Sequence, residues 1–366
     1  MTLTLVTAGE SHGPALVAIL GGLPAGLVLD REHVQRDLAR RQQGYGRSPR
    51  QKLETDELEV LAGLRHGRTL GTPLALVVRN RDHSHWTWGM SPWPPEGERS
   101  GKGTEPVTLP RPGHADLSGL LKYDLEDVRD VLERASARHT AVQVAAGSIA
   151  KQLLREIEIE VAATVLEIGG ETGGDEIRAA IDAARRDKET LGGIVEVRAT
   201  GVPPGLGSYA DKSERLDGRL AQALVGIQAV KGVEFGDGFE LARRRGPQAH
   251  DEIFRDKRGF FRETNRAGGI EGGMSNGEAI VVRAAMKPIP TQMKPLRSVD
   301  LASGEPADAL LERSDVAAVE ALAVIAECAV AFELAKAARG KFGGDALADF
   351  VAAQRAYVER IDWAPR

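Results

Sequence analysis

The segment Gly9-Glu10-Ser11-His12-Gly13 fits the G-x-S-x-G pattern, in which a nucleophilic serine stands on a sharp strand-to-helix turn. Such a turn needs a helix directly after the serine and an oxyanion loop from an earlier strand. Only eight residues precede Gly9 in this sequence, and the stretch that follows, PALVAILGGLPAG, has the pattern of a buried strand. A serine hydrolase acting through Ser11 is therefore the weaker hypothesis, since Ser11 is equally typical of a turn residue that binds local backbone.

His12 is the better candidate for chemistry in this segment. It lies in a turn bounded by glycines, and imidazole is the side chain best suited to proton transfer near neutral pH. A lone histidine is nevertheless more often structural or simply exposed. The histidines of DHSHW, His83 and His85, look like a metal-binding pair, but no third ligand has a suitable spacing. We therefore predict a loop there and no metal site.

Arginine is concentrated in two short segments of a chain whose net charge is −5. The first, LARRQQGYGRSPRQK, contains Arg40, Arg41, Arg47 and Arg50, and the second is LARRRG. Because guanidinium groups match phosphate and carboxylate, these clusters indicate a small anionic ligand, with a solvated face of surface ion pairs as the alternative. The acidic net charge and the 4% aromatic content argue against nucleic-acid binding.

The composition is that of a soluble globular protein, with 42% hydrophobic and 28% charged residues. No linker interrupts the 366 residues, so we expect a single domain over residues 1–366. The one cysteine, Cys328, suits a reducing compartment, and the first residues show no signal-peptide pattern, so a cytoplasmic protein is expected. The most apolar stretch, residues 316–335, contains three glutamates and is typical of a buried helix rather than a membrane span.

The elements that must position these residues are a mixture of strands and long helices, which indicates an α/β or α+β fold. Helical spacing predicts helices over residues 125–157, 214–232 and 305–340. Apolar runs predict strands over residues 3–8, 15–23, 73–80, 192–202 and 278–286. The Pro- and Gly-rich residues 91–113 are too many for an ordinary connection and predict a functional or mobile loop.

Residues 21–44 and 200–232 show a weak internal similarity. Both predict a strand, a Pro-x-Gly-Leu turn and a helix, in that order. A duplicated unit of this kind would give two similar halves, whereas chance similarity in a Gly- and Ala-rich sequence explains the match equally well.

Nine sequence blocks, which occur in the family's order, resemble the chorismate synthase family over nearly the whole chain. They are AGESHGPALVAILGGLPAG, LARRQQGYGR, RPGHADLSGLLKY, LERASARHT, GGIVEVRATGVPPGLGS, GIQAVKGVEFGDGF, NRAGGIEGGMSNGE, MKPIPT and ERSDVAAV. The resemblance implies an anti-1,4-elimination that converts 5-enolpyruvylshikimate 3-phosphate to chorismate and phosphate, the last step of the shikimate pathway toward aromatic amino acids. It also implies reduced FMN used without net redox change, and an α+β fold. That fold is a β-α-β sandwich, with helices packed between antiparallel sheets, in a homotetramer.

Three residues take the family's proton-transfer positions. The resemblance implies that His12 transfers a proton at the reduced flavin, that His114 acts as acid toward the departing phosphate, and that Asp315 works with the flavin in removing the proton. From the residues alone, His114 is typical of an exposed loop. Asp315 lies within a predicted helix and is also typical of a helix cap or first-turn carboxylate.

The resemblance also implies two sets of binding residues. The flavin set is Arg134, Ala135, Ser136, Gln228, Ala229, Gly272, Lys287, Pro288, Ile289, Pro290, Thr291 and Arg313. The set for the substrate or for NADPH, with the substrate favoured, is Ser11, Arg41, Arg47, Arg50 and Arg111. His139 stands where many relatives have glutamate, which puts in doubt any charge role at that position but not the family.

Two further questions stay open at the level of the sequence. A non-catalytic protein of the same fold that binds FMN or phosphate would carry the same blocks and would bind flavin without turnover. NADPH is a candidate reductant, but no added reductase domain is recognisable, so we expect an external flavin reductase to supply reduced FMN. The expected partners are thus the small-molecule substrate and further copies of the chain, with neither nucleic acid nor membrane.

Overall fold

Two four-stranded antiparallel sheets lie on either side of a layer of helices in the computed structural model, which describes residues 2–47, 55–257, 259–312 and 314–365. The helices contact both sheets and one another. This arrangement confirms the predicted α+β class and the predicted sandwich of helices between antiparallel sheets.

The first half of the chain builds one of these sheets. Its elements are β1 (Thr4–Ala8), β2 (Ala15–Gly21), α1 (Arg31–Gln42), β3 (Leu58–Ala62), β4 (Leu64–Arg65), β5 (Arg68–Thr69), β6 (Leu74–Arg79), α2 (Asp116–Tyr123), α3 (Arg129–Ala135) and α4 (Thr140–Arg155). The strand order is β1-β2-β6-β3, antiparallel throughout. Short 3-10 turns occupy Arg81–His85 and Ala137–His139.

The second half builds the other sheet. Its elements are β7 (Glu160–Ile168), α5 (Gly174–Asp187), β8 (Gly193–Thr200), α6 (Leu216–Val225), β9 (Val230–Phe235), α7 (Gly246–Ala249), β10 (Ile253–Asp256), β11 (Gly259–Arg262), β12 (Ile270–Glu271), β13 (Met274–Ser275), β14 (Ile280–Met286), β15 (Arg297–Val299), β16 (Pro306–Asp308), α8 (Val319–Phe342) and α9 (Leu347–Arg360). The strand order is β7-β8-β14-β9, again antiparallel.

The two halves share one topology. In each, the four sheet strands stand in the order first, second, fourth, third, and a helix, α1 or α6, follows the second strand. The Pro-x-Gly-Leu turn precedes that helix in both halves, and its leucine, Leu27 or Leu206, is fully buried. A long helix closes each half, and these two helices, α4 and α8, pack against each other. The shared order favours an internal repeat over chance similarity.

Side-chain alternation decides which face of each sheet meets the helices. In β2, Leu16, Ala18 and Leu20 are buried, while Ile19 between them is 41% exposed on the outer face. Helix α4 is buried along most of its length because it contacts strands of both sheets. Gly147 permits the close approach of α4 to α8, since a Cβ there would lie 2.4 Å from Cβ of Cys328.

A cluster of buried charges lies inside the helix layer and explains one glutamate of the apolar stretch 316–335. Glu327 accepts hydrogen bonds from Lys151 Nζ, from Arg40 Nη2 at 3.0 Å and from the backbone N–H of Ala163 at 3.0 Å. Burial alone would raise the pKa of Glu327, but the bond from Arg40 and the charge of Lys151 hold it below its usual value. Within the described residues, no helix has the length and apolar character needed to cross a membrane.

All three predicted helices are too long. The first is broken at Ser136, where ψ is 141° and the side chain accepts from the N–H of Arg138 to begin a 3-10 turn. The second ends at Val225, because residues 230–235 pair with β14 as strand β9.

The third predicted helix begins at Val319, fourteen residues later than Glu305. In place of the expected first turns, residues 306–308 form strand β16, and Val316 accepts from the N–H of Leu191 and donates to the carbonyl of Gly46, both at 2.8 Å. Asp315 therefore precedes the helix, and its interpretation as a helix-cap or first-turn carboxylate is wrong. Residues 91–113 contain neither helix nor strand, as expected of a loop.

Candidate active site

A cleft of about 620 Å³ lies between residues of several elements from both halves of the chain. This volume is typical of small-molecule sites. Its walls come from the turn after β1, the junction of α3 and α4, the segment between α6 and β9, the residues after β14 and the start of α8. The end of the long loop, residues 111–115, closes another side. Both halves of the pseudo-repeat thus contribute to one cavity.

The cleft collects most of the residues predicted for the site. Those that line it are Ser11, His12, Arg41, Arg47, Arg111, His114, Ala135, Ser136, Gln228, Ala229, Lys287, Ile289, Pro290, Thr291 and Asp315.

The other predicted residues are placed elsewhere. Arg134 lies behind the cleft wall, where its Nη1 donates to the carbonyl of Gly9 at 3.2 Å and so holds the turn that carries His12. Pro288 is not part of the lining, and Gly272 lies in the turn between β12 and β13 with φ +58°. Arg50 and Arg313 lie outside the described residues.

His12 is held by a buried carboxylate rather than by the neighbouring serine. Its Nδ1 lies 2.8 Å from Oε1 and 3.0 Å from Oε2 of Glu133, and its backbone N–H donates to Oε2 at 2.8 Å. Ser11 instead donates its backbone N–H to the carbonyl of Glu133 and accepts from the hydroxyl of Ser136 at 3.2 Å. Since β2 rather than a helix follows this turn, the site has no nucleophile elbow.

The DHSHW segment supports His12 from the other side. His83 Nδ1 donates to the carbonyl of His12 at 2.9 Å, and the ring of Trp86 stacks on the His12 ring with centroids 4.0 Å apart at 19°. The guanidinium of Arg129 lies 4.9 Å from the Trp86 ring. The segment is a 3-10 turn, not an open loop, and no metal-binding group was found among the described residues.

His114 also has a carboxylate on its Nδ1. Asp116, which is fully buried, accepts from His114 Nδ1 and from Arg111, whose Nε lies 2.9 Å from Oδ2. Burial alone would raise the pKa of Asp116, but the hydrogen bonds from His114 and Arg111 hold it well below its usual range. Arg111 also donates to Thr291 Oγ1 at 2.8 Å, which ties the loop end to the segment after β14.

Asp315 forms an ion pair across the cleft. Its Oδ2 lies 2.8 Å from Nη1 of Arg47, and the two side chains are 13% and 10% exposed. Next to this pair, Ser314 donates its hydroxyl to the carbonyl of Thr291. The predicted base and a predicted anion contact are therefore paired with each other.

Two further arginines share one buried carboxylate. Asp56 accepts from Arg41 Nη1 at 3.1 Å and from Arg138 Nη1 at 2.6 Å. Arg41 also donates to Thr140 Oγ1 and to the carbonyl of Ala137. Burial lowers the pKa of Arg41 from 12.5 to about 10, so it stays charged at neutral pH. Arg41 holds the α3–α4 junction in place as well as lining the cleft.

Gln228 and His139 meet at the same junction. His139 Nδ1 donates to the carbonyl of Ser136 at 2.8 Å, and its Nε2 accepts from Gln228 Nε2 at 3.2 Å. Burial lowers the pKa of His139 below its usual value, which favours the neutral ring. Ala229 has φ +67°, an unfavourable conformation for a non-glycine residue, and its carbonyl accepts from the N–H of Lys287.

Residues 3–338 match the family model described as chorismate synthase. The chain belongs to the chorismate synthase family. A chorismate synthase of Symbiobacterium thermophilum is 54% identical and covers 97% of this chain and 98% of its own. One of Desulforudis audaxviator is 52% identical and covers 98% of both. A solved structure named as a crystal structure of chorismate synthase has a TM-score of 0.79 at 38% identity and covers 99% of both chains. These matches confirm the resemblance and the enzyme class, a carbon–oxygen lyase acting on phosphates.

The chorismate synthase family implies a reduced flavin, and the cleft residues fit such a group. Leu132, Leu322 and Ile325 give an apolar wall for a ring system, while Lys287 offers a cation to a phosphate. Oε1 of Gln228 is a buried acceptor with no hydrogen-bond partner among the described residues, and a reduced flavin ring carries N–H donors that match it.

Five residues of this site were missed at the level of the sequence: Glu133, Trp86, Asp116, Asp56 and Arg138. Asp116 follows His114 by two residues and Glu133 lies inside LERASARHT, so both were within blocks already noticed. Their importance comes from contacts with His114 and His12 that sequence spacing does not encode. Glu133 is 121 residues away from His12 along the chain.

Proposed function

We propose that the cleft eliminates phosphate from 5-enolpyruvylshikimate 3-phosphate to give chorismate, the last step of the shikimate pathway toward aromatic amino acids. One observation carries the assignment to this cleft. Two histidines, each with a buried carboxylate on Nδ1, and the carboxylate of Asp315 converge there with several cationic side chains. The family assignment supports the reaction.

The cationic side chains suit the charges of the substrate. It carries a phosphate and two carboxylates, and guanidinium groups bind both kinds of anion in a bidentate way. We assign these contacts mainly to Arg47, with Ser11 lining the same cleft, because Arg111 already donates to Asp116 and Thr291. Arg41 is already committed to Asp56 and Thr140, so its main contribution is to hold the wall and raise the local positive potential. Arg50 remains a candidate for contact with the anionic groups of the substrate.

We assign the proton transfers of the reaction to three residues. His114, with its ring fixed by Asp116, acts as acid toward the departing phosphate. Asp315 accepts the proton that the substrate loses, once the anionic substrate has drawn Arg47 away from it. His12 transfers a proton at the bound cofactor and so keeps the cofactor in its reactive protonation state.

We infer that the cofactor is reduced FMN, held by the predicted flavin set. When bound, it would supply electron density as phosphate leaves and recover it as hydrogen leaves. The chain's own contribution is to orient it with Gln228, Ala135 and Ser136 and to hold its phosphate near Lys287. Gly272 lies outside the cleft lining, so its predicted contact requires a site that extends past this cavity.

The test is release of phosphate from 5-enolpyruvylshikimate 3-phosphate with FMN reduced anaerobically by light. We expect turnover with reduced FMN and none with oxidised FMN. A protein that binds FMN tightly but releases no phosphate under these conditions would be the non-catalytic binding protein instead.

Adding NADPH in place of light tests the source of electrons. We expect no NADPH oxidation without an added flavin reductase, and oxidation by the purified chain would show that it reduces its own flavin.

We further propose a homotetramer. The outer face of the first sheet carries an apolar row, in which Val6 is 67% exposed and pairs with Ile19, and Leu61 nearby is 64% exposed. Apolar patches of this kind mark interfaces between chains. Light scattering should give four times the 39.2 kDa chain mass, and the double variant Val6→Lys with Ile19→Lys should dissociate it. A monomeric wild type would contradict the proposal.

Two further proposals concern the number of domains and the cellular location of the protein. We propose that residues 1–366 form one domain, because one cluster of buried apolar side chains extends from Leu3 in the first half to Phe350 in α9. We also propose a cytoplasmic location, supported by a buried and unpaired thiol at Cys328. A single cooperative unfolding transition would support the single domain. Fractionation of the native protein with cytoplasmic markers would support the location.

A further inference from the structure

We propose that Glu133 is the positioning residue of His12: its carboxylate holds the proton of Nδ1, so that Nε2 is the nitrogen that exchanges protons in the cleft. This inference rests on the proposed catalytic role of His12. It assigns a function to a residue that does not itself line the cavity.

The carboxylate contacts His12 at two places. Both oxygens lie within hydrogen-bond distance of Nδ1, at 2.8 and 3.0 Å, and Oε2 also accepts the backbone N–H of His12 at 2.8 Å. Glu133 is 2% exposed and His12 6% exposed. Such bonds are stronger than exposed ones because water does not compete for either partner.

An ionised carboxylate accepts hydrogen bonds and does not donate them. The neutral imidazole facing Glu133 must therefore carry its N–H on Nδ1, which leaves the lone pair on Nε2. When Nε2 takes up a proton, the ring becomes an imidazolium whose charge lies next to the carboxylate. When that proton is returned, the same neutral tautomer is restored.

A second contact fixes the plane of the ring. Trp86 stacks on His12 at 4.0 Å and 19°, so the ring is held both at Nδ1 and across its face. Arg129 joins the two supports, because its guanidinium lies 4.9 Å from the Trp86 ring and its Nη1 is 3.4 Å from Oε1 of Glu133. This cation also compensates the buried charge of Glu133.

A purely structural role is the competing explanation. Glu133 accepts backbone N–H groups of both Ser11 and His12, through its carbonyl and its side chain, and could serve only to hold the turn. The two explanations differ in the glutamine variant. Glu133→Gln keeps the size and one acceptor, but its amide can offer either an oxygen or an NH₂ to Nδ1, so it no longer selects one tautomer.

The experiment measures the His12 tautomer by nitrogen NMR on histidine-labelled protein, with the His12→Asn variant to assign the signal. We expect the Nδ1–H form to dominate in the wild type and a mixture of both forms in Glu133→Gln. For the same variant, kcat for phosphate release should fall by about 100-fold or more, with little change in KM or FMN affinity, as when a serine protease loses tautomer control. Glu133→Asp should restore the Nδ1–H form and part of kcat.

Several outcomes would overturn the proposal. An Nε2–H tautomer in the wild type would do so without any variant. So would a folded Glu133→Gln protein that keeps the wild-type tautomer, whatever its activity. Glu59→Gln, which removes a carboxylate from an exposed ion pair with Arg79 on the first sheet, is the matched control and should change neither measurement. If the wild type releases no phosphate at all, the proposed function fails, while the tautomer measurement still decides the role of Glu133.

Discussion

Asp315 and Arg47 are joined by a 2.8 Å ion pair inside the cleft, although one is the predicted base and the other a predicted anion contact. Both are nearly buried, so the pair is exposed to little competition from water. In the proposed reaction, an incoming phosphate or carboxylate would offer Arg47 a second partner and so weaken its hold on Asp315. We therefore propose that the pair links binding of the anionic substrate to availability of the carboxylate.

The first prediction concerns this carboxylate. Asp315→Asn should lower kcat by about 100-fold or more because the amide cannot accept a proton at neutral pH. Flavin binding, followed by fluorescence, should change little. Asp308→Asn on the exposed strand β16 is the control and should behave as the wild type. Near-normal turnover in a folded Asp315→Asn protein would remove Asp315 from the mechanism.

The second prediction concerns the pH dependence contributed by Asp116. Asp116→Asn should cost about 3 kcal/mol or more of unfolding free energy at pH 7, because it breaks a buried network with Arg111 and His114. The native pKa of Asp116 lies below the unfolded value of 3.8, so its contribution is fully present above that pH and is lost as the pH falls toward the native value.

Urea unfolding at pH 7, 5 and 3 measures this difference. The gap between wild type and Asp116→Asn should be the same at pH 7 and 5 and smaller at pH 3. A gap that grew on acidification would show that the Asp116 carboxylate is not held in its charged form.

The third prediction separates Ser11 from His12. His12→Ala should lose turnover by about 100-fold or more, whereas Ser11→Ala should lose less than about 10-fold, because among the described residues the hydroxyl bonds to Ser136 and to no base. A covalent serine-directed probe should leave Ser11 unlabelled. Stoichiometric labelling would restore the hydrolase hypothesis.

The fourth prediction uses the contact between α4 and α8. Gly147→Ala should destabilise the protein by about 1–3 kcal/mol, because its Cβ would lie 2.4 Å from Cβ of Cys328. Gly340→Ala, near the end of α8, has no atom within 4 Å of the added Cβ and should be neutral or gain up to about 1 kcal/mol. Thermal unfolding of both variants makes the comparison, and equal effects would mean that the two helices are not closely packed.

The strands were easier to predict than the helices. All five predicted strands coincide with observed ones, because alternating or continuous apolar runs are a local signal. Strands β3, β7 and β9 and helices α5 and α9 were missed. Residues 230–232 were predicted as the end of a helix but belong to strand β9, which pairs with β14, because tertiary pairing of this kind overrides local propensity.

The site was predictable as a set of residues but not as an arrangement. Fifteen predicted residues line one cleft, since the family blocks carried their identities. Arg134 and Pro288 were predicted in the same way, yet do not line it. The sequence offered no reason to distinguish Arg41, which is bonded to Asp56 and Thr140, from Arg47, which is paired with Asp315.

By itself, the sequence determined the family, the mixed class of the fold, most of the strands and the residue types available for chemistry, because these are written in short blocks and local periodicity. Only the tertiary structure decided what those residues do to one another. It gave His12 a carboxylate from a residue 121 positions away, placed Asp315 before helix α8 and against Arg47, and broke a long helix at Ser136. These outcomes depend on hydrogen bonds and packing between distant segments, whose free energies exceed the local preferences that a sequence pattern records.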